Sequence, residues 1–130
     1  MILGIGTDLL SLDRMRRVVE DPGVDSPFLR STFTAREREE ACRRPDPVLY
    51  LASRFAGKEA VFKALGLAGD HVRLDEIEIL NDAIGRPAVT LHGEMKRHAG
   101  EATVDLSLSS ETEYCLAFAV LSSAESTQGG

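Results

Sequence analysis

Apolar and polar residues alternate over residues 2–9 with a period of two, which predicts a β-strand. The even-numbered positions carry two glycines and an acid on one face, and the odd-numbered positions are mostly apolar. After this strand, apolar residues recur at helical spacing behind Ser11, a good N-cap residue. The pattern predicts a helix that runs to about Glu20. The residues expected to face inward are Leu12, Met15, Val18 and Val19.

The rest of the chain predicts two more main helices followed by strands. Thr34 and Glu37 match a capping box and predict a polar helix to about Arg43. The longest helical pattern covers residues 48–65, and Gly66 ends it. Four strands are expected at residues 74–80, 88–92, 102–109 and 114–121, with a short helix at 94–99. This order predicts a single α+β domain over residues 1–121, with a mostly antiparallel sheet against the long central helix, and a flexible tail over residues 122–130.

Composition excludes several classes of protein. The 130-residue chain carries a net charge of −6, which argues against general nucleic-acid binding. No apolar run approaches the length of a membrane span, and no leader is evident, so the cytoplasm is the expected compartment. Cys42 and Cys115 have no CxxC spacing and favour free thiols.

The charges are unevenly distributed. Residues 1–63 contain 11 basic and 10 acidic residues, whereas residues 64–130 contain 4 and 11. Arg14 and Arg17 form an i,i+3 pair on the first helix. Such a pair is either an ordinary solvated surface or a docking site for an acidic partner.

Two carboxylates have unusual neighbours. Asp8 follows Gly4 and Gly6 on one face of the first strand. The glycines allow close approach either of a ligand or of a packed helix, and the helix is the simpler interpretation for this segment alone. Glu59 lies in the middle of an apolar helix face, where an unpaired carboxylate is costly.

Lys63 offers two interpretations of Glu59. It is one turn further on and can form an i,i+4 ion pair with Glu59. Alternatively, the face lines a cleft in which Glu59 binds a hard cation such as Mg²⁺ and Lys63 binds phosphate. The sequence pattern by itself leaves both open.

These segments together resemble the acyl carrier protein synthase group of 4′-phosphopantetheinyl transferases. Residues 4–9 read GIGTDL, like the opening motif of that family, and residues 54–64 read RFAGKEAVFKA, like its central (W/F)(S/A)xKEAxxK motif. Residues 85–87 (GRP) and 107–110 (SLSS) match its third and fourth segments in order. The resemblance covers residues 1–121 and implies the 4′-phosphopantetheinyl transferase fold.

The resemblance implies an activity and a set of partners. The family moves 4′-phosphopantetheine from coenzyme A to a serine of apo acyl carrier protein and releases 3′,5′-ADP, in support of fatty acid or polyketide synthesis. Asp8 and Glu59 would hold Mg²⁺, Glu59 would also be a candidate base, and Lys63 would bind phosphate. Arg14 and Arg17 would meet the carrier protein, and members of this group are typically homotrimers with shared sites. The residues expected around coenzyme A are Arg54, Lys63, Gly66, Gly85, Arg86, Pro87, Ser109 and Ser110.

One position departs from the family pattern, because Ser110 stands where the family usually has histidine. A serine carries no positive charge, so any contribution of that histidine to phosphate binding is lost. Two other functions remain open: a binding module that uses the arginine surface, and a coenzyme A-dependent acyltransferase. Neither accounts for Asp8, Glu59 and Lys63 occurring together in these contexts. Arg86 likewise is either part of a plain turn or a phosphate ligand.

Overall fold

A computed structural model describes residues 1–19, 26–67 and 72–124. Glu20, the predicted end of the first helix, and most of the predicted tail lie outside these ranges. The elements are, in chain order, β1 (Ile2–Ser11), α1 (Leu12–Val18), α2 (Pro27–Thr32), α3 (Ala35–Cys42), α4 (Pro47–Ala64), a 3-10 turn (Leu74–Glu76), β2 (Ile77–Asn81), β3 (Pro87–Leu91), α5 (Gly93–Ala99), β4 (Thr103–Ser110) and β5 (Tyr114–Ser122).

The strands form two antiparallel sheets. In the larger sheet the order is β1-β5-β4, with Asp8 opposite Ala117 in the register. The smaller sheet is the β2–β3 hairpin. The expected α+β class with antiparallel pairing and a long central helix is therefore confirmed.

Glycines set the distance between β1 and α4. A Cβ added to Gly6 would lie 2.0 Å from the carbonyl oxygen of Ala60, and one added to Gly4 would lie 2.0 Å from that of Ala64. Only a glycine face permits this approach of strand and helix backbones. The packing interpretation of the two glycines is thus correct. It also places Asp8, the next residue on that face, beside α4.

On the side of α4 that faces away from β1, a buried ion pair holds the helix in place. Lys58 and Glu37 are both fully buried, with 2.7 Å between Lys58 Nζ and Glu37 Oε1. Lys58 also donates to the carbonyl oxygens of Leu74 (2.9 Å) and Ile77. Glu37 Oε2 accepts from the Ile79 amide at 2.8 Å. The pair therefore connects α3, α4 and β2, and the predicted capping box at Thr34 supports it from the helix start.

Some predicted boundaries are wrong. Leu74 was expected to begin a strand, but residues 74–76 form a 3-10 turn, because the Leu74 carbonyl oxygen turns toward Lys58 Nζ and accepts a hydrogen bond from it. Val18 was expected to face inward and is 58% exposed, since α1 ends there and Val19 takes the buried position. Ser11 precedes α1 but makes no side-chain cap. Ser122 belongs to β5 rather than to the tail.

The face of the larger sheet that points away from α4 is apolar and exposed. β1 contributes Leu3, Ile5 and Leu9, and β5 contributes Leu116 and Phe118. A contiguous apolar face of this kind is typical of a protein interface. None of the described helices is long and apolar enough to cross a membrane.

Candidate active site

Asp8 is positioned by the close contact of β1 with α4. Its side chain is mostly buried, and its Oδ1 lies 3.6 Å from Lys63 Nζ. Lys63 also donates to the carbonyl oxygen of Thr7 at 2.9 Å. Lys63 thus ties the last turn of α4 to the strand, and its ion pair runs to Asp8 rather than to Glu59.

Glu59 shares a cavity with Asp8. This cavity has a volume of about 430 Å³ and lies between β1, α1 and α4. Arg14 lines this cavity together with the two carboxylates, and the remaining lining residues are apolar. The apolar lining residues are Leu9, Leu10, Met15, Val18, Phe28 and Phe55. The structure therefore brings together three of the predicted catalytic and docking residues, and Lys63 joins them through Asp8.

Burial disfavours the charged form of both carboxylates. Burial raises the pKa of Asp8, although Lys63 acts in the opposite direction. Burial also raises the pKa of Glu59, and the negative charge of Asp8 raises it further. Lys63 forms an ion pair with Asp8, whereas Glu59 has no ion pair within the described residues.

The donor set fits a hard divalent cation. Carboxylate oxygens from two elements are the ligands that Mg²⁺ takes when water and substrate phosphate complete its shell. Throughout the part of the chain that the structure describes, no three or more His, Cys, Asp or Glu residues form a metal-binding group.

Arg54 lies in a second cavity, of about 410 Å³, on the other side of α4. It is buried, and its guanidinium donates to Asn81 Oδ1 at 2.7 Å and to Ser53 Oγ at 3.2 Å. Both partners are neutral, and none of the described carboxylates pairs with Arg54. Ser109 and Ser110 line the same cavity. The structure thus joins these three predicted coenzyme A residues in one place.

The other predicted coenzyme A residues lie apart from both cavities. Gly85 occupies a turn with a φ of 88°, and the Arg86 guanidinium binds Asp82, with 3.1 Å between Nε and Oδ2. This geometry is that of the plain turn. Pro87 begins β3 and lines a groove against β4. Gly66, with a φ of 75°, follows the end of α4.

The sequence patterns did not predict the tertiary contacts of four residues. Lys58 and Glu37 form the buried pair described above; the signal was that Lys58 shares a helix face with Leu51, Val61 and Phe62. Arg44 and Tyr50 line the Arg54 cavity, and both arginines stack on the tyrosine ring. No periodicity indicates that stack, because Arg44 precedes α4.

Comparison with known proteins shows the family to which this chain belongs. A family model described as the 4′-phosphopantetheinyl transferase superfamily matches residues 4–119. A holo-[acyl-carrier-protein] synthase from Alkalilimnicola ehrlichii is 40% identical over 130 residues, covering 96% of this chain and 100% of the relative. One from Ruminiclostridium cellulolyticum is 39% identical, covering 94% and 93%.

Solved structures of the same family have a similar fold. The holo-[acyl-carrier-protein] synthase of Neisseria meningitidis has a TM-score of 0.80 at 38% identity, covering 95% of this chain and 100% of that one. A holo-(acyl-carrier-protein) synthase from Bacillus anthracis strain Ames, in complex with CoA (3′,5′-ADP), has a TM-score of 0.79 at 32% identity, covering 95% and 99%.

Proposed function

The chain belongs to the 4′-phosphopantetheinyl transferase superfamily, in its holo-acyl carrier protein synthase group, and from this premise we propose the reaction that its site performs. The enzyme transfers 4′-phosphopantetheine from coenzyme A to a serine of apo acyl carrier protein and releases 3′,5′-ADP. The observation that carries the proposal is the meeting of Asp8 and Glu59 in one cavity, with Lys63 paired to Asp8.

Asp8 and Glu59 would hold Mg²⁺ together with the pyrophosphate of coenzyme A. The pKa values of both carboxylates are raised because burial removes them from water. A bound divalent cation would offset their negative charge. When bound, the ion would neutralise charge on the phosphates and lower the pKa of a coordinated water or hydroxyl.

The side chains have complementary roles in the transfer. The carrier serine oxygen attacks the phosphorus that bears pantetheine, and the bond from that phosphorus to the ADP oxygen breaks. Glu59, directly or through water, accepts the proton of the serine hydroxyl. Lys63 stabilises negative charge on the departing 3′,5′-ADP. Transfer of this kind depends on positioning and charge neutralisation more than on covalent catalysis.

The carrier protein docks on α1. Arg14 lines the cavity that contains both carboxylates, and Arg17 follows one turn later. A protein bound there by acidic residues would bring its serine to the cavity. Electrostatic complementarity favours such encounters and orients them.

The working assembly is a homotrimer. Its support is the exposed apolar face of the larger sheet, which a second and third copy would cover. Closed three-fold symmetry produces three equal interfaces, with sites shared between subunits. We expect the enzyme to act in the cytoplasm, in fatty acid synthesis or alternatively in polyketide synthesis.

One assay tests the function. The protein is incubated with coenzyme A, Mg²⁺ and apo acyl carrier protein, and the carrier is then weighed by mass spectrometry. A gain of one phosphopantetheine, abolished by EDTA and restored by Mg²⁺, is the expected result. An unchanged carrier would indicate a binding module, and an acyl gain from acyl-coenzyme A would indicate an acyltransferase.

A further inference from the structure

The helix α1 is short and depends on contacts with the rest of the protein to hold its position. It has seven residues, and isolated helices shorter than about 12 residues are only marginally stable in water. The amide of Leu12 donates to the carbonyl oxygen of Glu113 at 2.9 Å, and the side chains of Leu12 and Met15 are buried. These contacts hold the start and the inner face of α1.

Arg16 connects the last turn of α1 to the start of α4. Its Nη2 donates to Asp46 Oδ2 at 2.9 Å, and its Nη1 donates to Asp46 Oδ1 at 3.4 Å. Two parallel hydrogen bonds fix the orientation of a guanidinium group as well as its distance. Asp46 is also the N-cap of α4, where its Oδ1 accepts from the Leu49 amide at 3.1 Å. The hydrogen bond from Arg16 lowers the pKa of Asp46, so the pair is charged at neutral pH.

Arg16 points away from the surface proposed to receive the carrier protein. At about 100° per residue, its direction differs from that of Arg14 by about 160° and from that of Arg17 by about 100°. Arg14 lines the cavity that contains the two carboxylates, whereas Arg16 does not. Within the described part of the chain, Arg16 is the one arginine of α1 that forms an ion pair. Its position therefore suits a link between helices better than a docking contact.

Through this link, α1 is joined to both elements that carry the carboxylates. The strand β1, which contains Asp8, runs directly into α1 at Leu12. Arg16 reaches the N-cap of α4, the helix that contains Glu59. The place of α1 relative to the cavity is thus fixed at one end by the chain and at the other by an ion pair.

We propose that Arg16 and Asp46 are a positioning pair for the carrier protein, which holds Arg14 and Arg17 at a fixed distance from the cavity without contacting the carrier. The inference rests on the proposed function, in which the carrier docks on α1. Both side chains of the pair are about half-exposed, and exposed ion pairs contribute little to overall stability. Loss of the pair should therefore weaken binding of the carrier and leave the melting temperature and the affinity for coenzyme A near their parent values.

The test is a double-mutant cycle with Arg16→Gln, Asp46→Ser and the double variant. Serine is about as good an N-cap as aspartate, so Asp46→Ser keeps the cap of α4 while it removes the charge that binds Arg16. Arg73→Gln is the matched control, because Arg73 binds Asp75 through two hydrogen bonds of 3.2 and 3.3 Å that join no two helices. Calorimetry at low salt measures the Kd of apo acyl carrier protein and of coenzyme A, and transfer assays measure kcat and the KM of the carrier.

Each single variant is expected to raise the Kd and the KM of the carrier about threefold, the scale of one exposed ion pair, with kcat unchanged. The double variant should lose no more than the larger single loss, since both changes break the same contact. Arg73→Gln should behave like the parent.

Direct binding of the carrier by Arg16 predicts the opposite sign for Asp46→Ser. That change would release Arg16 and remove a negative charge, so an acidic carrier would bind more tightly. An Asp46→Ser protein with parent or higher affinity for the carrier, or losses that multiply in the double variant, would overturn the positioning pair. A parent that binds the carrier but transfers nothing to it would overturn the proposed function alone, and the Kd values would still decide on the pair.

Discussion

Lys58 and Glu59 are adjacent in the sequence and lie in opposite environments. Lys58 is fully buried in an ion pair with Glu37, and Glu59 opens onto the cavity that contains Asp8. One step of about 100° around the helix separates the two directions. The central motif therefore combines a residue that holds the helix in place with one proposed to perform chemistry.

Removing either carboxylate of the cavity is expected to stop transfer without unfolding the protein. Glu59→Gln and Asp8→Asn keep the shape of the side chain and remove the charge needed to hold Mg²⁺. Turnover of apo carrier protein should fall by at least roughly a hundredfold, the scale of a lost acid–base group. Near-parent turnover in either variant, measured with Mg²⁺ present, would show that the two carboxylates do not form the metal site.

Lys58→Met, unlike the two carboxylate variants, is expected to act mainly on the stability of the fold. It leaves the Glu37 carboxylate buried and unpaired, which lowers the free energy of unfolding by roughly 3–5 kcal/mol. Lys63→Met, on the same helix, is the control: this lysine is half-exposed, so the cost should stay within about 1 kcal/mol. Urea denaturation measures both, and similar values for the two variants would contradict the assignment.

At the level of secondary-structure elements, the contact between β1 and α4 brings Asp8 close to Lys63 and Glu59. Gly6→Ala is expected to destabilise the protein by about 1–3 kcal/mol, because the new methyl group would overlap the Ala60 carbonyl and push the helix from the strand. The same displacement separates Asp8 from Glu59 and should lower activity. Thr90→Ala, at an exposed strand position of the smaller sheet, serves as control in thermal melts and transfer assays. A Gly6→Ala protein as stable and active as the parent would show that the close packing is not required.

The helix α1 is the proposed docking surface for the carrier protein. Reversing both Arg14 and Arg17 to Glu places negative charge where an acidic carrier would dock, so its KM should rise roughly tenfold at low salt. The salt dependence should flatten, while the affinity for coenzyme A stays near that of the parent. An unchanged KM for the carrier would remove α1 from the interface.

At the level of the whole molecule, the apolar outer face of the larger sheet is the proposed contact surface of the trimer. We expect light scattering to report a particle of about 42 kDa, three chains of 14.1 kDa. Phe118→Glu places a charge in the middle of that face and should release monomers with little activity, since a buried unpaired charge is strongly unfavourable. Ile84→Glu, an equally apolar exposed residue in the hairpin turn, should leave the trimer intact. A fully active monomer would exclude sites shared between subunits.

The sequence predicted the larger elements well and their edges less well. Periodicity located β1, α4 and β5 within a few residues, because it reports which face of an element is buried. It misplaced residues 74–76, where the Leu74 carbonyl oxygen accepts a hydrogen bond from the distant Lys58 instead of from a neighbouring strand. Within the site, the motifs identified Asp8, Glu59 and Lys63 as candidates, yet they left open whether Lys63 pairs with Glu59 or binds phosphate, and the ion pair of Lys63 with Asp8 was not predicted.

The sequence by itself determined the family, the α+β class and the residue types of the site, since these depend on local patterns and short motifs. Only the tertiary structure decided that Lys63 pairs with Asp8, that Lys58 is buried, and that Arg44 and Arg54 meet on Tyr50. Asp8 and Lys63 lie 55 positions apart, and their contact exists because two glycines let the strand and helix backbones touch. Local periodicity indicates which way the side chains of one element point. Only the packing of the elements determines which side chains of different elements come into contact.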